Sequence, residues 1–223
     1  MSTLSIKEKR AKILEILEEM YGGTETALEY DSPFQLLVST LLAAQATDKQ
    51  VNKVMIPFYK EFPDAKTIAQ LPLEFIEDRI SSIGLYRNKA KNMLATSKMI
   101  MDEFGGKVPE TQEELIKLPG VGRKTANVVR SIAFGADAIA VDTHVFRLSN
   151  RMGLARAKDV VKTEEQLMRN IPREKWSDAH HWIIWHGRKI CKAQKPLCDQ
   201  CDVAPYCNFF AQYGPDLMYW KGK

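Results

Sequence analysis

The chain has 223 residues, enough for one domain or two small ones, and its 45% hydrophobic and 27% charged residues are those of an ordinary globular protein. A net charge of +4 with a pI near 8.8 is mildly basic, which tolerates a nucleic-acid partner without demanding one. No run approaches the length of a membrane span, and MSTLSIKEKRAK at the N-terminus lacks the apolar segment of a secretory signal. A soluble, intracellular, cytoplasmic protein is therefore expected, nucleoid-associated if bacterial.

Helix signals recur along the chain and strand signals do not, so an all-α fold is expected. Ser5 with Glu8 makes a capping box ahead of Ile13, Leu14, Leu17 and Met20, and Gly22–Gly23 supplies the stop. Ser32–Pro33 opens a second helix through PFQLLVSTLLAAQ, apolar nearly all round and so expected to be buried. Thr47 with Gln50 caps a third, Thr67 with Gln70 starts a short fourth, and Pro72 opens a fifth. A long helix runs from Tyr86 to Phe104 and ends at Gly105–Gly106, and Thr111 with Glu114 caps the next. The sequence predicts further helices from about Arg123, from Asp142 to about Arg151, from Thr163 to Asn170 and from Ser177 to Ile190.

Between two of these helices lies LPGVG, Leu118 to Gly122, which reads as a helix-hairpin-helix. Glycines flanking Val121 let the backbone turn tightly, and the following helix points its positive dipole end and unpaired N–H groups at the turn. Such a turn can grip phosphate without reading bases, although a tight interhelical turn would use the same residues. ISSIGLYRNKAKNM, Ile80 to Met93, faintly echoes it, with Gly84 where Gly120 sits. It reads as a degenerate second hairpin or a plain turn at Gly84.

Two basic residues follow the hairpin, and only Lys124 can act as a nucleophile, because Arg123 stays protonated. Roughly one free lysine in a few thousand is neutral at pH 7, so the amine needs burial, nearby cations or a carboxylate that takes its proton. Asp142 is the candidate carboxylate, and before THVFRLSN it is equally a helix N-cap. Asp137, in the FGADA turn, ranks below it as a turn residue.

All four cysteines fall in one window, Cys191-x6-Cys198-x2-Cys201-x5-Cys207. In a reducing compartment that pattern argues for metal ligation, and four thiolates suit either tetrahedral zinc or a four-iron cluster. Arg188, Lys189, Lys192 and Lys195 put positive charge on or beside this loop, as phosphate contacts or as a solvated basic face. His180, His181 and His186 read as helix-packing residues, since the cysteines already fill a coordination shell.

The motifs LLAAQATDKQVNK, IGLYRNKA, LPGVGRKTANVV, AFG…IAVDTHVFR and the four-cysteine loop occur in the order found in endonuclease III, which the chain resembles over most of its length. That family comprises bifunctional DNA glycosylases of the helix-hairpin-helix superfamily. The resemblance implies removal of oxidised pyrimidines from duplex DNA, with AP lyase activity through a lysine Schiff base. It assigns Lys124 as the attacking amine and Asp142 as the carboxylate that stabilises the sugar cation. Gly120, Val121 and Gly122 would hold the DNA backbone, Asp48 would lie near the pocket for the flipped base, and Gln45 and Leu85 would enter the vacated gap.

It likewise implies a [4Fe-4S] cluster on Cys191, Cys198, Cys201 and Cys207, and a monomer acting on double-stranded DNA with damaged or abasic sites. Two lobes are expected: residues 26–136, and residues 1–25 with 137–223 carrying the cluster loop, with Lys124 and Asp142 meeting in a cleft. Ala43, where many relatives have serine, puts a pocket hydrogen bond in doubt, and the aromatics of the tail FFAQYGPDLMYWKGK are expected to pack on the domain.

Two rival readings remain. An adenine-mismatch glycosylase shares the hairpin, aspartate and cluster. It ordinarily lacks the lysine and carries a further C-terminal domain, whereas this sequence has Lys124 and runs sixteen residues past Cys207. A non-catalytic DNA-binding module would use the hairpin alone and leave Lys124 with Asp142 unexplained.

Overall fold

Residues 4–214 are described by a computed structural model, and among them the chain forms helices α1 to α12, joined by turns and short 3-10 segments, with no strand. No helix among the described residues is long and apolar enough to cross a membrane. The chain divides into two compact units, Thr26–Ala138 and Met1–Glu25 with Ile139–Lys223.

In the first unit α2 (Pro33–Leu42) is buried from Phe34 to Leu42, the polar Gln35, Ser39 and Thr40 included. Ser32 caps it with Pro33 at its first position, and Leu37, Leu41 and Leu42 are buried, each stabilising the fold by roughly 1.5–3 kcal/mol. It packs against α3 (Asp48–Glu61), α6 (Tyr86–Glu103) and α8 (Arg123–Phe134). Thr47 caps α3 by accepting from Gln50 N–H, and Pro57 sits inside that helix, where the missing N–H costs one backbone bond.

α4 (Ala65–Ile68) starts earlier than the sequence predicts. Asp64 is its cap, and Thr67, three residues on, bonds back to complete the box instead of opening the helix. α5 (Leu73–Arg79) follows Pro72, and α7 (Gln112–Leu115) is a single turn capped by Thr111.

The links α5–α6 and α7–α8 are both short turns that contain one left-handed residue. Ile83 and Leu118 are buried before the two turns, and Ala90, Met93, Ala126 and Val129 are buried after them. The left-handed residue is Leu85 (φ 61°) in the first turn and Gly120 (φ 79°) in the second. Leu85 is the N-cap of α6, whereas Gly120 stands two residues before Gly122, the N-cap of α8.

In the second unit α1 (Ile6–Tyr21) packs on α11 (Trp176–Lys189), as does α9 (Thr143–Met152). Ile13, Leu17, Val145, Leu148 and Ile183 form its buried centre. Ser5 and Glu8 complete the capping box of α1. α10 (Val160–Asn170) begins three residues before Thr163, because Asp159 caps it by accepting from Lys162 N–H. Gly187 lets α9 and α11 approach closely, since a Cβ there would stand 2.9 Å from His144 Nδ1 and 3.2 Å from Leu148 Cδ1. α12 (Asn208–Tyr213) carries Phe209, Phe210 and Tyr213, while the tail aromatics Tyr219 and Trp220 lie outside the described residues.

Candidate functional site

The hairpin before α8 is pinned to α6. Thr96 Oγ1 donates to Pro119 O at 2.9 Å, and a Cβ on Gly120 would stand 2.8 Å from Asn92 Cγ, so both the positive φ and the close approach exclude a side chain there. Val121 faces inward: its side chain is buried and its N–H donates to Leu118 O at 3.0 Å. Gly122 is the N-cap of α8 in extended backbone, with nothing within 4 Å of the Cβ position and no side chain capping the helix. The positive end of α8 therefore opens beside a residue without a side chain, a geometry suited to an anion. Lys124 is exposed in the first turn of this helix, next to Arg123.

Gln45 and Leu85 lie on neighbouring turns of the same unit. Gln50 Nε2 donates to Ser82 Oγ at 2.8 Å, tying the start of α3 to the α5–α6 turn, and the Cβ position of Gly84 is 4.0 Å from Gln45 O. Both residues are exposed, Leu85 to 61%, and both hold left-handed backbone (φ 56° and 61°). The third non-glycine residue in this region of backbone space among the described residues is Lys195, in the cysteine loop. The resemblance implies DNA contact for Gln45 and Leu85, while for Lys195 phosphate contact and a solvated basic face both stood open; strained backbone concentrates at functional positions. Asp48 opens α3, one residue after its cap.

Asp142, in the other unit, is a helix cap as its sequence context allowed. Its Oδ1 accepts from Val145 N–H at 2.7 Å, and Oδ2 carries no hydrogen bond among the described residues. The extended segment leading to it is held by His180, whose Nδ1 lies 2.8 Å from Ala140 O. Asp137 is exposed in the turn after α8.

From Asp142, α9 runs to the cysteine loop. Arg147 Nη2 donates to Cys191 O at 3.0 Å, and Arg151 donates to Lys192 O at 2.8 Å and Ala193 O at 2.9 Å while lying over the Phe209 ring. The i, i+4 spacing of these arginines was visible in the sequence, but their common target was not.

The four cysteines are free thiols lining one apolar pocket closed by Met152, Ile190, Pro196, Leu197, Phe209 and Phe210. Burial, reinforced by the neighbouring thiols, pushes Cys198 and Cys201 up to about 11, and burial also raises Cys207. Four crowded, desolvated thiols ionise together only around a cation that offsets their mutual repulsion, which is the donor chemistry of a metal or cluster site. Among the described residues no three of His, Cys, Asp and Glu are grouped to hold a single metal ion.

His186 is fully buried beside the pocket, with Nε2 3.5 Å from Cys201 Sγ and Nδ1 3.2 Å from Tyr21 OH. Burial holds it down at about 4, so it is neutral at physiological pH. Its contact with a cysteine was not legible in the sequence, which marked it only as a packing residue. Lys192 and Lys195 are exposed, while Arg188 and Lys189 lie over the Trp185 ring.

Residues 38–173 match the family model of the HhH-GPD superfamily base excision DNA repair protein. The chain is 49% identical over 196 residues to endonuclease III of Bacillus subtilis (strain 168), covering 87% of this chain and 90% of that relative. Against endonuclease III of Escherichia coli (strain K12) it is 44% identical over 203 residues, covering 91% and 96%. A solved trapped endonuclease III–DNA covalent intermediate, an estranged-adenine complex, superposes with a TM-score of 0.89 at 43% identity, covering 95% of this chain and 100% of the other.

Proposed function

From the premise that the chain belongs to the endonuclease III family of the HhH-GPD superfamily, we propose that Lys124 is the covalent catalyst of its reaction on damaged DNA. The protein is a base-excision-repair DNA glycosylase and AP lyase that removes oxidised pyrimidines from duplex DNA. The observation that carries the assignment is the position of Lys124: exposed, in the first turn of the helix that leaves the hairpin.

With the damaged nucleotide flipped out of the stack, Lys124 Nζ bonds to C1′ as the glycosidic bond breaks and the base departs. The sugar ring opens to an imine, loss of a proton from C2′ expels the 3′ phosphate, and hydrolysis returns the amine. Asp142 stabilises the cationic sugar and assists proton transfer, and its cap bond to Val145 N–H holds the carboxylate at a fixed angle. The phosphate grip falls to Gly120, Gly122 and the first turn of α8, with Val121 anchoring the turn from behind. Gln45 and Leu85 fill the gap in the stack, and Asp48 lies toward the base pocket. The exposed Lys192 and Lys195 add phosphate contacts.

Four desolvated thiols converging on one apolar pocket support the reading of the cysteine loop as a [4Fe-4S] site. Such a cluster takes one thiolate per iron and so needs a wider cradle than a single zinc, whose four sulfurs all approach to about 2.3 Å. Cys191, Cys198, Cys201 and Cys207 would hold it. When bound, it supplies a charged, rigid centre around which the loop bearing Lys192 and Lys195 is ordered.

Borohydride trapping on duplex DNA with an abasic site or an oxidised pyrimidine tests the assignment. The wild-type protein is expected to give a covalent adduct that Lys124→Ala abolishes. An adduct undiminished in that variant would refute the role of Lys124.

A further inference from the structure

His186 touches the cysteine loop twice. Its backbone carbonyl accepts from Cys191 N–H at 2.9 Å, and its ring, buried to 1% exposure, reaches Cys201 Sγ. The other ring nitrogen meets Tyr21 OH, from the last residue of α1, and the two rings sit edge to face at 5.8 Å.

A neutral imidazole has one donor and one acceptor nitrogen, and the partners decide which is which. A ligating thiolate only accepts, so Nε2 must carry the hydrogen. Nδ1 must then accept, and the Tyr21 hydroxyl is the donor it meets. The opposite tautomer would aim a lone pair at a thiolate. Tyr21 thereby selects the tautomer and the ring angle, as outer partners of metal ligands do.

We infer that Tyr21 and His186 form a positioning pair that donates one N–H···S hydrogen bond to the Cys201 thiolate and so raises the reduction potential of the cluster. The inference rests on the reading of the cysteine pocket as a [4Fe-4S] site. Hydrogen bonds to cluster sulfurs are among the determinants of potential, and a donor favours the more electron-rich, reduced form. The pair spans 165 residues of sequence and joins α1 to the loop through one side chain of α11.

The test uses the full-length protein and its Tyr21→Phe, His186→Gln and His186→Leu variants. Iron and acid-labile sulfide are measured first, and a wild-type protein without four of each overturns the cofactor reading itself. With the cluster present, the midpoint potential is read by electrochemistry on DNA-bound protein. His186→Leu is expected to favour oxidation about tenfold, equivalent to about 59 mV more negative for one electron. Tyr21→Phe moves the potential the same way by less, and His186→Gln, which keeps an N–H donor, recovers part of the loss. Pulsed EPR of the oxidised cluster in protein carrying 15N-histidine should show a histidine nitrogen coupling that His186→Leu removes.

Unchanged potentials in Tyr21→Phe and His186→Leu at full iron content overturn the inference. Should His186→Leu assemble no cluster, Tyr21→Phe, which removes one oxygen atom, decides alone: a negative shift supports the pair and no shift refutes it.

Discussion

Lys89, near the start of α6, is buried, and its Nζ has no hydrogen-bond partner among the described residues. Burial pushes its ammonium below the ordinary 10.5. A buried charge without a partner destabilises the fold, so Lys89→Met should raise stability by on the order of 1 kcal/mol, a gain of about 2–4 °C in Tm by calorimetry. The pH dependence follows with a definite sign. Between the lowered folded value and 10.5 the unfolded chain binds more protons, so stability rises with pH across that window, and the variant should lose that increment. A Tm that falls, or an unaltered pH slope, would mean that Lys89 makes favourable contacts in solution. Asp142 was legible as a cap because an aspartate before a helix has a recognisable context. Arg147, Arg151 and His186 were not, because their roles depend on which loop lies opposite them.

Helices announced their starts wherever a capping side chain was unambiguous, as at Ser5, Ser32, Thr47 and Thr111. The starts of α4 and α10 were read late, at Thr67 and Thr163, because each threonine lies one turn inside a helix whose true cap is an aspartate upstream. The α5–α6 turn shows how a loop departs from its composition: it has a glycine, yet places Leu85 in the left-handed position, exposed. Leu85→Gly separates folding from function there. Relief of the backbone strain should leave the protein at least as stable, with a gain of up to about 1 kcal/mol in urea unfolding. Affinity for a duplex with an abasic site should nevertheless fall, as measured by fluorescence anisotropy. Unchanged affinity would remove Leu85 from the DNA contact.

At the scale of the whole molecule, the cysteine loop belongs to the unit of Met1–Glu25 and Ile139–Lys223, whereas the hairpin belongs to Thr26–Ala138. A group that binds only the folded loop contributes its binding free energy to the unit that holds it. On the proposed [4Fe-4S] reading of the loop, removing the iron with an oxidant and a chelator should therefore speed amide hydrogen exchange in α9 and α11 while leaving α2 and α8 nearly unchanged. Equal acceleration everywhere would show that the cluster supports the whole chain.

The sequence by itself determined the all-α character, most helix starts, the hairpin and the four thiols, because caps, turn glycines and ligand spacing are local and act within a few residues. Only the tertiary structure decided that Leu85 holds left-handed backbone, that Gln45 stands beside its turn, and that α9 ties the segment after Asp142 to Cys191. It alone brought Tyr21 and Cys201 to opposite nitrogens of one imidazole. These relations depend on packing between elements distant in the chain, and a hydrogen bond across 165 residues has no period or spacing to reveal it.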